Sequence, residues 1–171
     1  MQLTRAADYG VRVMIHMAGQ ASGKRLSLPA LAGATGAPES FLSKVLQALT
    51  HGGLLVSQRG QAGGFEVSPR GWRSSMRDVI EAVDGPIHLN VCVTLGQSCA
   101  RRTWCPAHPV WQEAQRAMLQ VLETAQIVDL ANRVGIVEAR TANACEVLTS
   151  IASAESEDRE TCTCAAATKA N

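Results

Sequence analysis

No stretch of the chain is apolar for long enough to cross a membrane. A membrane-spanning helix needs roughly 20 consecutive apolar residues, and the 171-residue sequence contains no such run. The first residues lead into an amphipathic pattern and not into the apolar segment of a signal peptide. We therefore expect a cytoplasmic protein that has no membrane partner.

Recognisable catalytic motifs are also missing. The sequence contains nothing that resembles a catalytic triad, a phosphate-binding loop or a substrate pocket, so we do not expect an enzyme. A chain of this length can bury a core without the help of disulfides. In a reducing compartment, metal binding or redox chemistry is expected of its six cysteines in preference to structural disulfides.

The chain has almost no net charge, with a formal value of +1, but its charges are unevenly distributed. Residues 1–80 contain nine Lys or Arg and four Asp or Glu, whereas residues 81–171 contain seven and eleven. A basic N-terminal half favours binding to a polyanion such as DNA. The charge alone does not identify the binding partner, so the pattern of residues along the chain has to do so.

Residues 1–85 have the periodicity of a winged helix-turn-helix domain. Apolar residues recur at helical spacing in four segments, which predicts helices over residues 6–18, 27–34, 38–51 and 75–83. Gly36 predicts the bend between the second and third helices. Two short strands, predicted over residues 54–57 and 64–67, would form a hairpin. We predict a mainly α fold with a small β-hairpin wing; the alternative is a small α+β domain that binds no ligand.

The third predicted helix has a polar stripe that is suited to DNA. Ser40, Ser43, Lys44 and Gln47 share one face, opposite an apolar stripe that is expected to face the core and consists of Phe41, Leu42, Val45, Leu46 and Leu49. A helix of this kind can lie in the major groove of double-stranded DNA. Arg59, in the turn of the wing, is expected to enter the adjacent minor groove.

A longer amphipathic segment is predicted over residues 108–135. Its apolar positions alternate spacings of three and four, as in a coiled coil: Trp111, Ala114, Met118, Val121, Ala125 and Val128. This seam predicts a dimerisation helix, and a homodimer would bind a palindromic operator with half-sites roughly 34–36 Å apart, or a multiple of that distance. The alternative is that the stripe packs on the chain's own N-terminal domain. Residues 136–171 are predicted to be a flexible tail.

Three cysteines lie in the segment 86–107, at the spacing Cys92-x6-Cys99-x5-Cys105. Thiolates are the usual ligands of iron-sulfur clusters, and a segment with little regular structure lets several of them converge on one cluster. Three cysteines leave one ligand position open. His108, at Cys105-x2-His108, and a carboxylate such as Asp8 are the two candidates, and the spacing does not choose between them.

Other chemistry is possible at the same cysteines. Three cysteines and one histidine also form a common zinc site, although the spacings lack the tight pairs that zinc loops usually contain. The thiols could instead act as a redox switch without metal if Arg101 and Arg102 lower the pKa of a neighbouring cysteine. A zinc-stabilised module that contacts protein instead of DNA is a further alternative. The sequence indicates no role for the remaining cysteines, which are Cys145, Cys162 and Cys164.

Several motifs together resemble a known family. They are the first twelve residues, the wing sequence Arg59-Gly60-Gln61-Ala62-Gly63-Gly64-Phe65, the sequence Val79-Ile80-Glu81-Ala82-Val83-Asp84-Gly85 and the cysteine triplet. Over residues 1 to about 135 the chain resembles the bacterial regulator family of IscR, NsrR and RirA. The resemblance implies a dimeric winged-helix repressor or activator, in which an iron-sulfur cluster reports on iron, cluster supply, nitric oxide or redox state.

The resemblance also implies roles for the candidate ligands. Cys92, Cys99 and Cys105 correspond to the family's cluster ligands. His108 matches the IscR pattern, in which a histidine completes a 2Fe-2S site, whereas Asp8 matches the NsrR pattern, in which an aspartate of the partner subunit completes a 4Fe-4S site. The chain contains both residues, so the type of cluster stays open. The expected function is control of transcription by an operator affinity that depends on the cluster.

Overall fold

The computed structural model describes residues 3–60, 63–94 and 99–134. The elements are α1 (Arg5–Ala18), α2 (Leu28–Thr35), α3 (Glu39–His51), β1 (Leu55–Gln58), β2 (Gly64–Val67), α4 (Met76–Asp84) and α5 (His108–Thr124). Residues 127–134 are again helical, and two short 3-10 turns occupy Gly71–Arg73 and Val91–Val93. None of the helices in these ranges has both the length and the apolar character that crossing a membrane requires. The predicted tail, with its three cysteines, lies outside the described residues.

Hydroxyl side chains begin three of the helices. The Oγ1 of Thr4 accepts a hydrogen bond from the backbone N–H of Ala7 at 3.2 Å, and Ser27 caps α2 in the same way. At α4, Ser75 and Asp78 form a reciprocal capping box. Such caps accept hydrogen bonds from backbone amide groups that have no partner within the helix. The residues just before each helix therefore determine where it starts.

The first four helices share one apolar core. It is built from the inward faces of α1, α3 and α4, with α2 packed against α1 and α3. α1 and α4 approach closely at Gly10, where a Cβ atom would lie 3.1 Å from Cγ2 of Val83. Gly36 ends α2 with a φ of 69° in the left-handed region that glycine tolerates, which turns the chain into α3. This confirms the predicted helix-turn-helix.

The wing is an antiparallel hairpin of β1 and β2. Leu55 pairs with Val67, and Gln58 pairs with Gly64 next to the turn. Leu26, just before α2, adds a bridge to Phe65 on the other edge of β2, with N···O distances of 3.0 and 2.9 Å. This bridge fixes the wing to the start of the helix-turn-helix. The mainly α, winged-helix architecture predicted from the sequence is confirmed.

Two details of that prediction are wrong. The first strand begins at Leu55 and not at residue 54, because the N–H of Leu54 still donates to the carbonyl of Leu49 at the end of α3. Phe41 does not face the core: its side chain is 38% exposed and meets Tyr9 edge to face, with ring centroids 5.7 Å apart. It sits beside the core, against α1.

The predicted long helix is also interrupted. α5 ends at Thr124, and Ala125 leaves the helical conformation with a ψ of 90°. The N–H of Met76 donates to the carbonyl of Ala125 at 2.8 Å, and the N–H of Ile127 donates to the carbonyl of Ser74 at 3.0 Å. This bridge turns the chain back onto the domain, so the seam predicted over residues 108–135 is not continuous.

The turn after α5 buries Ile127 completely, with no exposed surface, among the core residues. We predict that Ile127→Ala lowers the free energy of unfolding by about 2 to 4 kcal/mol, because it removes a buried aliphatic side chain and leaves a cavity. Urea unfolding, followed by circular dichroism, measures this change. Val134→Ala is the control on the same helical segment: its side chain is 45% exposed, so a change of about 0.5 kcal/mol or less is expected. Equal effects of the two substitutions would contradict the packing of Ile127.

Candidate nucleic-acid interface and cysteine segment

The polar stripe of α3 lies on the protein surface. Ser40, Lys44 and Gln47 are exposed, and Ser43 is partly exposed. The hydroxyl of Ser43 donates to the backbone carbonyl of Ser40 at 3.0 Å, so it is held against its own helix. The structure therefore brings together the four α3 residues that the sequence singled out, on the face opposite the buried residues of the helix.

A groove of about 720 Å³ separates α3 from the wing. Gln47 lines it on the helix side, and Arg59 lines it on the wing side. Sequence reasoning missed five other polar residues of the lining, which are Ser27, Thr50, His51, Ser57 and Gln58. Thr50 and His51 follow Gln47 by three and four residues, so helical periodicity could have placed them on the same face.

Glycines shape the wing side of this groove. A Cβ atom at Gly63 would lie 2.5 Å from the carbonyl oxygen of Gln58, and one at Gly64 would lie 2.7 Å from that of Leu26. Neither position has room for a side chain, because the backbone of the turn folds tightly against its neighbours. Arg59 is exposed at the end of this turn.

The cysteine segment connects α4 to α5. Cys92, Cys99 and Cys105 are free thiols, and all three are partly exposed. Backbone turns link the second half of the segment: the N–H of Arg102 donates to the carbonyl of Cys99 at 3.0 Å, and the N–H of His108 donates to that of Cys105 at 3.1 Å. These turns place one cysteine directly before the start of α5.

His108 occupies the first position of α5 and is only 7% exposed. Its Nε2 accepts a hydrogen bond from Nε of Arg102 at 3.2 Å. Its Nδ1 is buried and has no hydrogen-bond partner among the described residues. A buried polar atom without a partner is rare in native structures and calls for an explanation. Sequence reasoning did not foresee that Arg102 would contact the imidazole.

The predicted ligands are not assembled into a finished metal site. Among residues 3–60, 63–94 and 99–134, no three His, Cys, Asp or Glu side chains lie close enough together to hold a metal ion. Asp8 is exposed on α1 and forms an ion pair with Arg12 at 2.8 Å. The chemistry of the donor set nevertheless fits an iron-sulfur cluster, because it offers three unpaired thiols and one imidazole nitrogen without a partner.

The start of the cysteine segment is anchored to α5 by Gln115. The side-chain carbonyl of Gln115 accepts from the N–H of Leu89 at 2.8 Å, and its amide donates to the carbonyl of Ile87 at 2.6 Å. One side chain thus holds the backbone on both sides of His88. The spacing of apolar residues gave no signal for this contact.

Arg77 makes a second connection between α4 and α5. It pairs with Glu81 on α4 at 3.3 Å and with Glu123 on α5 at 3.1 Å. Burial opposes the charge, but the hydrogen bonds and charges of the two carboxylates outweigh it and raise the pKa of Arg77 above its ordinary value. Arg77 therefore stays charged and links the two helices.

An exposed polar helix beside a β-hairpin wing is the arrangement of winged-helix DNA-binding proteins. The sequence profile of the Rrf2 family, described as iron-dependent transcriptional regulators, matches residues 3–133. The chain belongs to the Rrf2 family, whose members are DNA-binding transcriptional regulators and not enzymes. The family resemblance inferred from the sequence motifs is confirmed.

Individual relatives agree with this assignment. An HTH-type transcriptional regulator of Mycobacterium tuberculosis is 33% identical over 131 residues, which are 77% of this chain and 81% of that protein. IscR of Vibrio vulnificus is 25% identical over 138 residues, which are 81% and 82% of the two chains. Among solved structures, CymR, the global cysteine regulator of B. subtilis, has a TM-score of 0.61 and 26% identity, over 78% of this chain and 98% of its own. IscR of T. potens has a TM-score of 0.60 at 21% identity, over 78% and 88%, and supports the fold.

Proposed function

We propose that this transcriptional regulator is a homodimer whose operator affinity depends on an iron-sulfur cluster held by Cys92, Cys99 and Cys105. The observation that carries this proposal is the cysteine segment itself. Its three thiols are unpaired and partly exposed, and the segment lies between two helices that pack against each other. A change at these thiols can therefore reach α4 and the DNA-binding domain.

Contact with DNA is assigned to the α3 stripe and the wing. Ser40, Ser43, Lys44 and Gln47 would lie in the major groove, and Arg59 would enter the neighbouring minor groove. The exposed α3 face and the groove of about 720 Å³ beside it support this placement. With two subunits, we expect a palindromic operator.

The fourth ligand is proposed to be His108 of the same subunit. It follows the cysteine segment directly, at the first position of α5, and one of its ring nitrogens has no partner among the described residues. Asp8 would instead have to leave its ion pair with Arg12 and reach the cluster of the partner subunit. A 2Fe-2S cluster goes with the first arrangement and a 4Fe-4S cluster with the second. When bound, the cluster would be the cofactor that responds to iron supply, nitric oxide or redox state.

A thiol switch without a cluster is the second candidate. One observation favours it: among the residues that the structure describes, no three potential metal ligands lie close together. A structural zinc ion is the remaining possibility for the same residues.

The metal content distinguishes these functions. After anaerobic purification, we expect iron and acid-labile sulfide in equal amounts, with two or four of each per protomer according to the cluster type. Cys99→Ser should lose most of both, whereas Cys145→Ser, outside the cysteine segment, should retain them. Zinc without sulfide, or no metal, would reject the cluster. Absorption spectra of His108→Ala and Asp8→Ala identify the fourth ligand, because only the variant that lacks it should have a changed spectrum.

The wing assignment is tested with Arg59→Ala. Loss of one contact between a cation and DNA should weaken operator binding and lower the slope of log affinity against log salt by about 1. Fluorescence anisotropy over a series of salt concentrations measures both quantities. Arg116→Ala is the matched control, since Arg116 is an exposed arginine on α5 that does not line the groove. If Arg59→Ala behaves like the control, the assignment is wrong.

The dimer is assigned to the outer face of α5. Apolar side chains remain exposed along it, including Val110, Trp111 and Val121, and Val121 is 67% exposed. Val121→Asp should produce a monomer, because a buried carboxylate without a partner opposes association. Light scattering after gel filtration measures the mass. Gln120→Asp adds the same charge one residue away and should remain dimeric; a dimeric Val121→Asp would contradict the interface.

A further inference from the structure

We propose that Arg102 competes with the cluster site for His108, so that the imidazole is bound either by Arg102 or as a ligand, never by both. This inference rests on the proposed function, because it concerns how His108 becomes available to a cluster. Arg102 is thereby a positioning residue. It acts on the cluster site through His108.

The starting point is the contact between Arg102 and His108. Nε of Arg102 lies 3.2 Å from Nε2 of His108. Guanidinium groups carry only donors, so Nε2 must offer its lone pair. In a neutral imidazole with an accepting Nε2, the ring proton is on Nδ1. The contact with Arg102 thus selects one of the two neutral tautomers.

That tautomer is costly at this position. The Nδ1–H group is buried and finds no acceptor among the described residues, and an unmade hydrogen bond in a buried place is unfavourable. The contact with Arg102 therefore orients the imidazole of His108 but leaves its Nδ1 without a hydrogen-bond partner among the described residues.

Ligation through either nitrogen requires Arg102 to leave. If Nε2 binds metal, its lone pair is no longer available to the guanidinium. If Nδ1 binds metal, the proton moves to Nε2, and a donor then faces the donor of Arg102. Both routes exclude the contact seen here. His108 cannot become a ligand while Arg102 remains in place.

Release of Arg102 also bears on one of the cysteines. The backbone N–H of Arg102 donates to the carbonyl of Cys99 at 3.0 Å, so the residue that gives up the imidazole is joined to a proposed ligand. Capture of His108 by Arg102 would retard the return of the imidazole to a cluster. Arg102 is thus expected to make the cluster easier to lose.

The test combines two measurements on Arg102→Ala in the full chain. Long-range ¹H–¹⁵N NMR of the cluster-free protein reports the His108 tautomer, with the signals identified by their loss in His108→Asn. The rate of cluster loss in the presence of an iron chelator reports the competition. Arg101→Ala is the matched control, because it removes the same charge from the same segment and its guanidinium lies over the ring of Trp104, at 5.7 Å.

We expect the Nδ1–H tautomer in the wild type and in Arg101→Ala, and a return to the Nε2–H tautomer in Arg102→Ala. Cluster loss should become slower by a factor on the order of three in Arg102→Ala alone, as for a partly exposed polar contact. An unchanged tautomer, or equal rates in the two arginine variants, would overturn the proposal. If no iron and sulfide are bound by the wild type, the proposed function fails and the competition fails with it. The tautomer result would still show separately whether the Arg102 contact exists.

Discussion

The backbone bridge between Ser75 and Gln126 is the contact on which the arrangement of α4 and α5 depends. It joins the start of α4 to the end of α5 through two hydrogen bonds. Beyond the other end of α4, Gln115 from the middle of α5 holds the segment that follows α4. Because α5 is joined to the chain at both ends of α4, it belongs to the winged-helix domain and is not a separate arm.

This attachment explains how two distant surfaces can influence each other. α4 packs on α1 and α3 on one side and on α5 on the other. The α3 stripe is the surface proposed for DNA, and the cysteine segment connects the two helices that the bridge and Gln115 join. Any displacement of α5 must therefore be taken up by α4, whose buried Val79 and Ile80 lie in the common core. Closely packed cores transmit such shifts and do not absorb them.

Local signals predicted most of the fold. The ends of the first four helices were predicted to within about two residues, which is the usual uncertainty of helix ends. The signals were the hydroxyl caps, the bend expected at Gly36 and the helical periodicity. The interruption at Ala125 was not predicted, because alanine and glutamine are good helix formers and only a tertiary partner, the backbone at Ser74, makes the break favourable. Ile127, Leu130 and Ala131 form a separate apolar stripe that is out of register with the seam of α5. This shift in the apolar spacing is the sequence feature that could have predicted the interruption.

The candidate site was less predictable than the fold. The polar face of α3 follows from the requirement that its opposite face be buried, so the four stripe residues were found. The partners of His108 and Asp8 could not be read from spacing, because Arg102 and Arg12 are long side chains whose contacts depend on the path of the backbone. Gln115 was missed for a similar reason: it satisfies backbone groups that have no sequence signature.

The hydrogen bonds of Gln115 also set a mechanical limit on the first cysteine. Leu89 is fixed, and Cys92 follows three residues later, so a fully extended tether would let its Cα move no more than about 10 Å from that of Leu89. Cys99 is much farther along the chain from this anchor. The three thiols thus differ in how far they can move: Cys92 stays close to the anchor at Leu89. The length of chain between Cys92 and Cys99 therefore limits the size of a group that the two thiols can bind together.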